Sequence, residues 1–439
     1  MALRSGFDVA VVGGRCSGAA LAALLARDGA SVVVLEKDPL HTDQVLSTHT
    51  IHPPAMDVLD DIGVGDAVRA VSPPSRTLRL GKNDAFVDLR FQEGRAEYCP
   101  RRKRLDGLLQ DAAAAAGADV RDRTRVVSLL WEGDRVVGLR TSDQAGNERD
   151  LRARLVVGAD GRYSTVAKLV QAEEYLGYNA PRALYWGYWN APAVWRGYPF
   201  EFFVGNRSGR IRAVFQTDHN QLLIGSAPPV TEVAGWRHDP AAALTRDLLS
   251  DPLTAPLVDN NPPDGGIRGT VKERYFFRQS AGPGWVLVGD AGHHKEFVIG
   301  DGITEALIQV RSLVTAIREG SDLALVRWWR ARDVEAMPYF YFGKDEGAVG
   351  APLKLQEVVF RNASQSTEFS YRLGLISEHQ LSPYDAFPLA SVLRWTLGAA
   401  IKGSPGLLRD FLTLGRRGAF AARQTRACRE RLARAVATP

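Results

Sequence analysis

The feature that most constrains this chain lies in its first forty residues. Phe7 to Val12 is an apolar run interrupted only by Asp8, and it ends in Gly13-Gly14-Arg15-Cys16-Ser17-Gly18. Ala19 to Arg27 follows, rich in Ala and Leu, and stops at Asp28-Gly29; a second apolar run, Ser31 to Leu35, ends at Glu36. Short apolar runs separated by a glycine turn and a stretch of helix formers predict strand, tight turn, helix and strand, a βαβ unit of about thirty residues.

Each part of that unit has a physical task. Gly13 allows a sharp exit from the strand, and Gly18 lets the helix pack closely on the sheet. The helix N-terminus offers free N–H groups and a partial positive charge to a pyrophosphate. Glu36 lies 18 residues past Gly18, near the spacing of an acid that binds a ribose hydroxyl pair. The usual pattern is G-x-G-x-x-G, and here Arg15 replaces the middle glycine, which loosens or shifts the approach of backbone to phosphate. The expectation is dinucleotide binding by Gly13, Gly14, Arg15, Ser17 and Gly18, with Glu36 and its neighbour Lys37.

Bulk properties narrow the class. With 439 residues, 45% of them hydrophobic, the chain can bury a large core and form two or three joined domains. The 55 basic and 50 acidic residues leave a charge of +5, a mild balance that suits an anionic cofactor better than nucleic acid. Cys16, Cys99 and Cys428 are scattered and odd in number, which implies no disulfide framework and a reducing, cytoplasmic setting. The first strand begins near Phe7, so no signal peptide is expected, and no apolar run is long enough to span a membrane.

Further along, Thr77 to Phe91 alternates around Gly81-Lys82-Asn83-Asp84 and predicts a β-hairpin belonging to a separate sheet. Asp119 to Leu130 and Arg135 to Thr141 read as another hairpin. Leu155-Val156-Val157 runs into Asp160-Gly161, and Gly284 to Val288 runs into Gly289-Asp290. Between about residues 180 and 280 aromatics are dense and helix signals few, apart from Pro240 to Leu249. That stretch predicts a mostly antiparallel sheet inserted into the α/β domain, with Trp186, Tyr188, Phe202 and Phe215 as candidate walls of a pocket for a flat apolar substrate. His293 and His294 are adjacent, so they point apart and share no metal; no metal site is expected. From about 340 onward the signals are helical, ending in an arginine-rich segment after Arg416 expected to pack on the body or on a second subunit.

Three sites recur in order: the fingerprint with Glu36, Asp160-Gly161 after a strand, and Gly289-Asp290 before the glycine-flanked helix start Gly300-Asp301-Gly302-Ile303. Together they resemble the single-component FAD-dependent monooxygenases of the para-hydroxybenzoate hydroxylase type, over roughly residues 5 to 340. The resemblance implies an α/β (α+β) fold: a Rossmann-like FAD-binding domain of the glutathione-reductase type (residues 1–75, 98–175 and 280–340), an inserted substrate-binding sheet (76–97 and 176–279) and a helical C-terminal region (341–439). It assigns the pyrophosphate to Gly13, Gly14 and Gly18, the adenosine ribose to Glu36, a cofactor contact to Arg102 and the ribityl chain to Asp290. Asp160 and Gly161 fall near the pyrophosphate, and Gly300, Gly302 and Ile303 face the pyrimidine end of the flavin.

The departures from the family pattern are Phe297 or Val298 in place of a proline, Thr304 in place of an asparagine, and Ser47-Thr48-His49 in place of an arginine. They bear on flavin mobility and handling of the reductant rather than on FAD binding. The implied activity is hydroxylation or epoxidation of an aromatic or polycyclic small molecule with NAD(P)H and O2, in secondary metabolism, by a monomer or homodimer. His49 and His293 are the acid–base candidates. The rivals are a flavin-dependent reductase of the geranylgeranyl reductase type and a flavin-binding protein without turnover. A flavin halogenase is disfavoured because the chain has no Trp-x-Trp-x-Ile-Pro segment.

Overall fold

The computed structural model describes residues 6–43 and 47–437. The βαβ unit forms as its residues require. Strand β1 (Phe7–Val12), helix α1 (Cys16–Arg27) and strand β2 (Val32–Leu35) follow one another, with β1 and β2 parallel. Val9–Val12 and Val32–Leu35 are buried throughout, as expected for a parallel sheet covered on both faces. Nearly all of α1 is buried as well. Its alanines let it lie flat on the sheet and against helix α2 (Arg102–Ala115). On the other side of β1 lies the long strand β3 (Glu148–Gly158), whose last residues pair with Trp285–Leu287. The sheet order is therefore Ala281–Gly282, Trp285–Leu287, β3, β1, β2 and Asp119–Arg121.

One segment departs from the sequence reading. Asp119 to Leu130, expected as a single strand, is broken. Asp119–Arg121 pairs with β2, and only Arg125–Glu132 forms the hairpin with Arg135–Ser142. Arg123 sits at φ 47°, a left-handed conformation that ends extended chain. The Thr124 N–H is held by the Glu36 carbonyl, so the break is tied to the end of β2.

The inserted sheet has seven strands. Thr77–Lys82 and Ala85–Arg90 form the expected hairpin and join Phe202–Arg207 by a parallel pairing; the remaining pairs are antiparallel. Alternation sorts its two faces. Phe203, Val214, Leu222 and Ile224 face the helix Pro240–Leu249, whereas Leu78, Phe202, Phe215 and Leu223 face Phe360 and Leu373 of the C-terminal helices. Phe202 and Phe215 stack with centroids 4.1 Å apart, worth about 0.5–1.5 kcal/mol beyond their buried area.

After helix α3 (Gly302–Glu319), helix α4 (Asp322–Gly347) runs without interruption past residue 340. The division drawn there from sequence thus falls inside a helix. Leu353–Ala363 and Thr367–Ser377 come next, then α5 (Leu389–Ile401) and α6 (Leu407–Ala437). The arginine-rich half of α6 packs on the body: Ala421 and Cys428 are buried against Met337, Phe340 and Tyr341 of α4.

The tightest local requirement is at Gly18. A Cβ there would lie 1.8 Å from the Gly13 carbonyl oxygen, so α1 would have to lift off the end of β1. Gly18→Ala is expected to destabilise the protein by about 1–3 kcal/mol or more, the range for overpacking. Gly235→Ala, where a Cβ meets nothing within 4 Å, serves as the control. Equal melting temperatures for the two variants would refute this account of Gly18.

Candidate functional site

The first helix start is built from backbone and ringed by charge. Gly13 adopts φ 101° and its N–H bonds the Leu35 carbonyl. The Gly14 N–H donates to Glu36 Oε2 at 2.9 Å, while Glu36 Oε1 accepts from the Asp38 N–H. The acid at the end of β2 is thus held against the loop it was expected to serve. No side chain caps α1, so its first N–H groups stay available. Arg15 turns back to Asp38 at 3.1 Å and lies 3.9 Å from both Glu36 and Asp106. Cys16 is buried and donates its thiol to Asp106 at 3.0 Å; burial pushes its pKa far up, so it is no nucleophile. Arg102 is buried and pairs with the same Asp106 at 3.0 Å. Lys37 is exposed.

The two later strand ends converge on this start. A Cβ on Gly13 would lie 2.5 Å from the Ala159 carbonyl oxygen, and one on Gly289 would lie 3.3 Å from the Ser17 hydroxyl. Asp160 Oδ2 accepts the N–H groups of Thr165 and Val166 at 2.6 and 3.3 Å. It caps the short helix that begins at Thr165, and burial raises its pKa; Gly161 follows at φ 75°. Asp290 lies 3.2 Å from His294 Nδ1, and His294 Nε2 lies 3.5 Å from Glu273. Burial works against His294 protonation, but Asp290 and Glu273 outweigh it and raise its pKa to about 9. For Asp290 burial acts upward, yet His294 and Arg162 hold its carboxyl below the usual range.

His293 faces the other way, as adjacent positions on a strand require. Its Nε2 lies 2.9 Å from Glu305 and its Nδ1 3.3 Å from the Gln309 amide. Burial outweighs Glu305 and lowers the His293 pKa. It belongs to a buried charge cluster at the start of α3 that local sequence did not reveal. There the Lys295 ammonium lies against both Asp301 and Glu305, and His379 Nε2 meets Asp301 at 2.9 Å. Asp301, Glu305 and His379 have the geometry of a metal site, but the lysine already supplies the cation between the carboxylates. The consequence for α3 is direct. Asp301 is its N-cap residue, yet the carboxylate is turned to Lys295 and His379 and caps nothing, leaving the first N–H groups of α3 open. Gly300, at φ 67°, makes the turn that presents them. Thr304 accepts the His52 N–H at 3.0 Å, and His52 Nδ1 pairs with buried Glu97 at 2.5 Å. Burial opposes its protonation, but Glu97 prevails and raises its pKa to about 9.

A cavity of about 920 Å³ runs from this turn across the seven-stranded sheet to the C-terminal helices. Thr48, His52, Phe297 and Gly300 line one part, and Phe202, Phe215 and Phe360 the apolar wall. Of the four candidate wall residues, Phe202 and Phe215 line the cavity. Trp186 and Tyr188 are instead packed on His49, at ring distances of 5.3 and 6.0 Å, and stand outside the wall. His49 Nε2 and the Tyr188 hydroxyl share a hydrogen bond of 2.5 Å. Burial, with Arg102, Arg268 and Arg101 nearby, keeps its pKa well below the usual value. Neither His49 nor His293 reaches the cavity; among the described residues the histidine that does is His52. A clue was present in sequence, since His52 precedes the Pro53-Pro54 helix start, but Glu97 is 45 residues away.

Residues 6–319 match the family described as FAD binding domain. The chain belongs to that family. A digeranylgeranylglycerophospholipid reductase of Methanococcoides burtonii is 26% identical over 350 residues, covering 72% of this chain and 77% of the relative. Mouse squalene monooxygenase is 30% identical over 189 residues, 37% of this chain and 30% of that protein. The solved complex of aklavinone-11 hydroxylase with FAD and aklavinone has the same fold, with TM-score 0.61, 21% identity, and 77% of this chain and 68% of that one covered. The protein is an FAD-dependent oxidoreductase. The residues present fit the cofactor: two helix starts without side-chain caps, a carboxylate at the end of β2, and a contact between Gly18 and Gly13 too close for any side chain. Gly13, Gly14, Ser17, Gly18 and Glu36 would hold its adenosine diphosphate half, and Arg102, Asp290, Gly300, Gly302 and Ile303 the remainder.

Asp290→Ala is expected to weaken FAD binding about ten- to a hundredfold, as loss of a charged acceptor costs about 1.5–3 kcal/mol. His294→Ala should weaken it less, and titration of apoprotein with FAD compares them; equal dissociation constants would show that Asp290 does not contact the cofactor. The His294 ion pair also has a pH signature. Its pKa is raised from 6.5 to about 9 on folding, so its stabilisation is complete below about pH 6.5 and is lost as the pH rises through 9. His52 titrates in the same window. The melting temperature of the apoprotein should therefore fall across that range, and less steeply in His294→Gln; an unchanged slope in the variant would refute the pairing.

Proposed function

We propose that this protein is an FAD-dependent monooxygenase that takes electrons from NAD(P)H and inserts an oxygen atom into a bulky, apolar aromatic or polycyclic small molecule, by hydroxylation or epoxidation. The observation that carries this reading is the cavity of about 920 Å³ that runs from the uncapped α3 start to an aromatic sheet face. Its volume lies at the upper end of the range for small-molecule sites, about 300–1,000 Å³. When bound, FAD supplies the redox and oxygen chemistry. The chain supplies the rest. The open N–H groups of α3 stabilise negative charge brought against them. His52, held protonated by Glu97, adds a fixed cation at the same end of the cavity. Phe202, Phe215 and Phe360 orient a flat substrate and exclude water. His49 acts from outside the cavity, holding Tyr188 and Trp186 in place. The squalene monooxygenase and aklavinone hydroxylase likenesses accord with oxygen insertion.

The second reading, a reductase that saturates isoprenoid double bonds, is favoured by one finding. The digeranylgeranylglycerophospholipid reductase resembles the chain over 72% of its length, and the cavity would also admit a folded isoprenoid chain. Oxygen separates the two. Purified holoprotein would be given NADH or NADPH with aklavinone-like polycyclic phenols or with geranylgeranyl lipids, in labelled dioxygen and under strict anaerobiosis. The expected result is faster nicotinamide oxidation in air with a polycyclic compound and one labelled oxygen atom in the product. A product two hydrogens heavier, unlabelled and formed without oxygen, would decide for the reductase.

A further inference from the structure

The helices α5 and α6 present their apolar residues the wrong way round for a protein surrounded by water. In α5, Leu389, Leu393, Leu397 and Ile401 recur every fourth position, which places them on one stripe of the helix. All four are exposed, Ile401 at 86%. The opposite side, with Val392, Trp395 and Ala399, packs on Leu355, Val359 and Leu407. Across the exposed turn 403–406, α6 continues the pattern with exposed Leu408 and Leu412. An apolar stripe on this scale marks a docking surface.

Charge identifies the occupant. Arg394, Lys402, Arg409 and Arg416 are all exposed, and Asp410 is the one acid between Leu389 and Arg416. Among the described residues none of these four cations meets a carboxylate. A second copy of this chain laid on the stripe would bring like charges together. An anionic lipid surface would neutralise them while the leucines enter the acyl boundary. Among the described residues no helix is long and apolar enough to cross a membrane, so the contact would lie in the interface plane. The cavity adds direction. Leu389, 66% exposed, also lines it, together with Phe411 and Leu414 of α6.

We propose that α5 and the first half of α6 form a peripheral docking face for anionic membranes, and that an apolar substrate passes from the bilayer past Leu389 into the cavity. The second clause rests on the cavity being the substrate site; the docking itself does not, and it is measured without turnover. The test is cosedimentation of the holoprotein with vesicles of phosphatidylcholine alone and of phosphatidylcholine and phosphatidylglycerol in equal parts. The wild type should bind the mixed vesicles at physiological ionic strength, and weaken in high salt. Leu397→Ser/Ile401→Ser/Leu412→Ser, changed only at exposed positions, should lose binding about tenfold or more while keeping its FAD and its melting temperature. Arg394→Glu/Lys402→Glu should lose binding to mixed vesicles selectively. The proposal is overturned if the wild type stays in the supernatant, if the serine variant binds as well, or if the wild type is a dimer that this variant dissolves.

Discussion

The site depends on one close approach. Helix α1 starts where the Gly13 carbonyl oxygen occupies the space of a Gly18 side chain. That contact sets the height of α1 above β1, so it places the N–H groups of the first turn. It also brings β3 and the Gly289 strand end within reach, since their residues line the remaining space around Gly13 and Ser17. Three chain segments far apart in sequence thus meet around one turn. Glu36 then locks the loop from the far side through the Gly14 N–H.

The second helix start is prepared by electrostatics. An aspartate at an N-cap ordinarily bonds the first-turn N–H groups. Asp301 is prevented from doing so because Lys295 and His379 hold its carboxylate. Buried charges are costly unless paired, and here each has its partner: Lys295 with Asp301 and Glu305, and His52 with Glu97. The cluster keeps α3 open toward the cavity and carries Thr304 against His52. Thr304, which stands where the family pattern has an asparagine, accepts the His52 N–H beside a helix start that no side chain caps.

The C-terminal helices unite two roles. Through Phe360 and Leu373 they close the aromatic face of the seven-stranded sheet, and through Leu389, Phe411 and Leu414 they bound the cavity at its outer end. The second half of α6 is anchored on α4 by small residues, Ala421 and Cys428. The first half has no such anchor on its outer side, where Leu408 and Leu412 are exposed.

Much of the candidate cofactor site was legible in the chain because its parts are local. Glycines that permit a turn, a helix start two residues on, and an acid at the next strand end all act within a few positions, and backbone geometry dictates their meaning. The same holds for Asp290 and the Gly300 turn, and for the alternation that sorts Phe202 from Phe203. Tertiary structure alone decided what lay between distant segments. Thr77–Lys82 pairs in parallel with Phe202–Arg207, and no local rule joins strands so far apart. Trp186 and Tyr188 read as pocket walls, but His49 filled the space beside them. Lys295, Asp301 and Glu305 stood close together in sequence, yet His52, Glu97 and His379 joined them only on folding. The period of α5 was visible in its leucines, but a period does not say which face is buried; that was decided by where Leu355 and Leu407 left room.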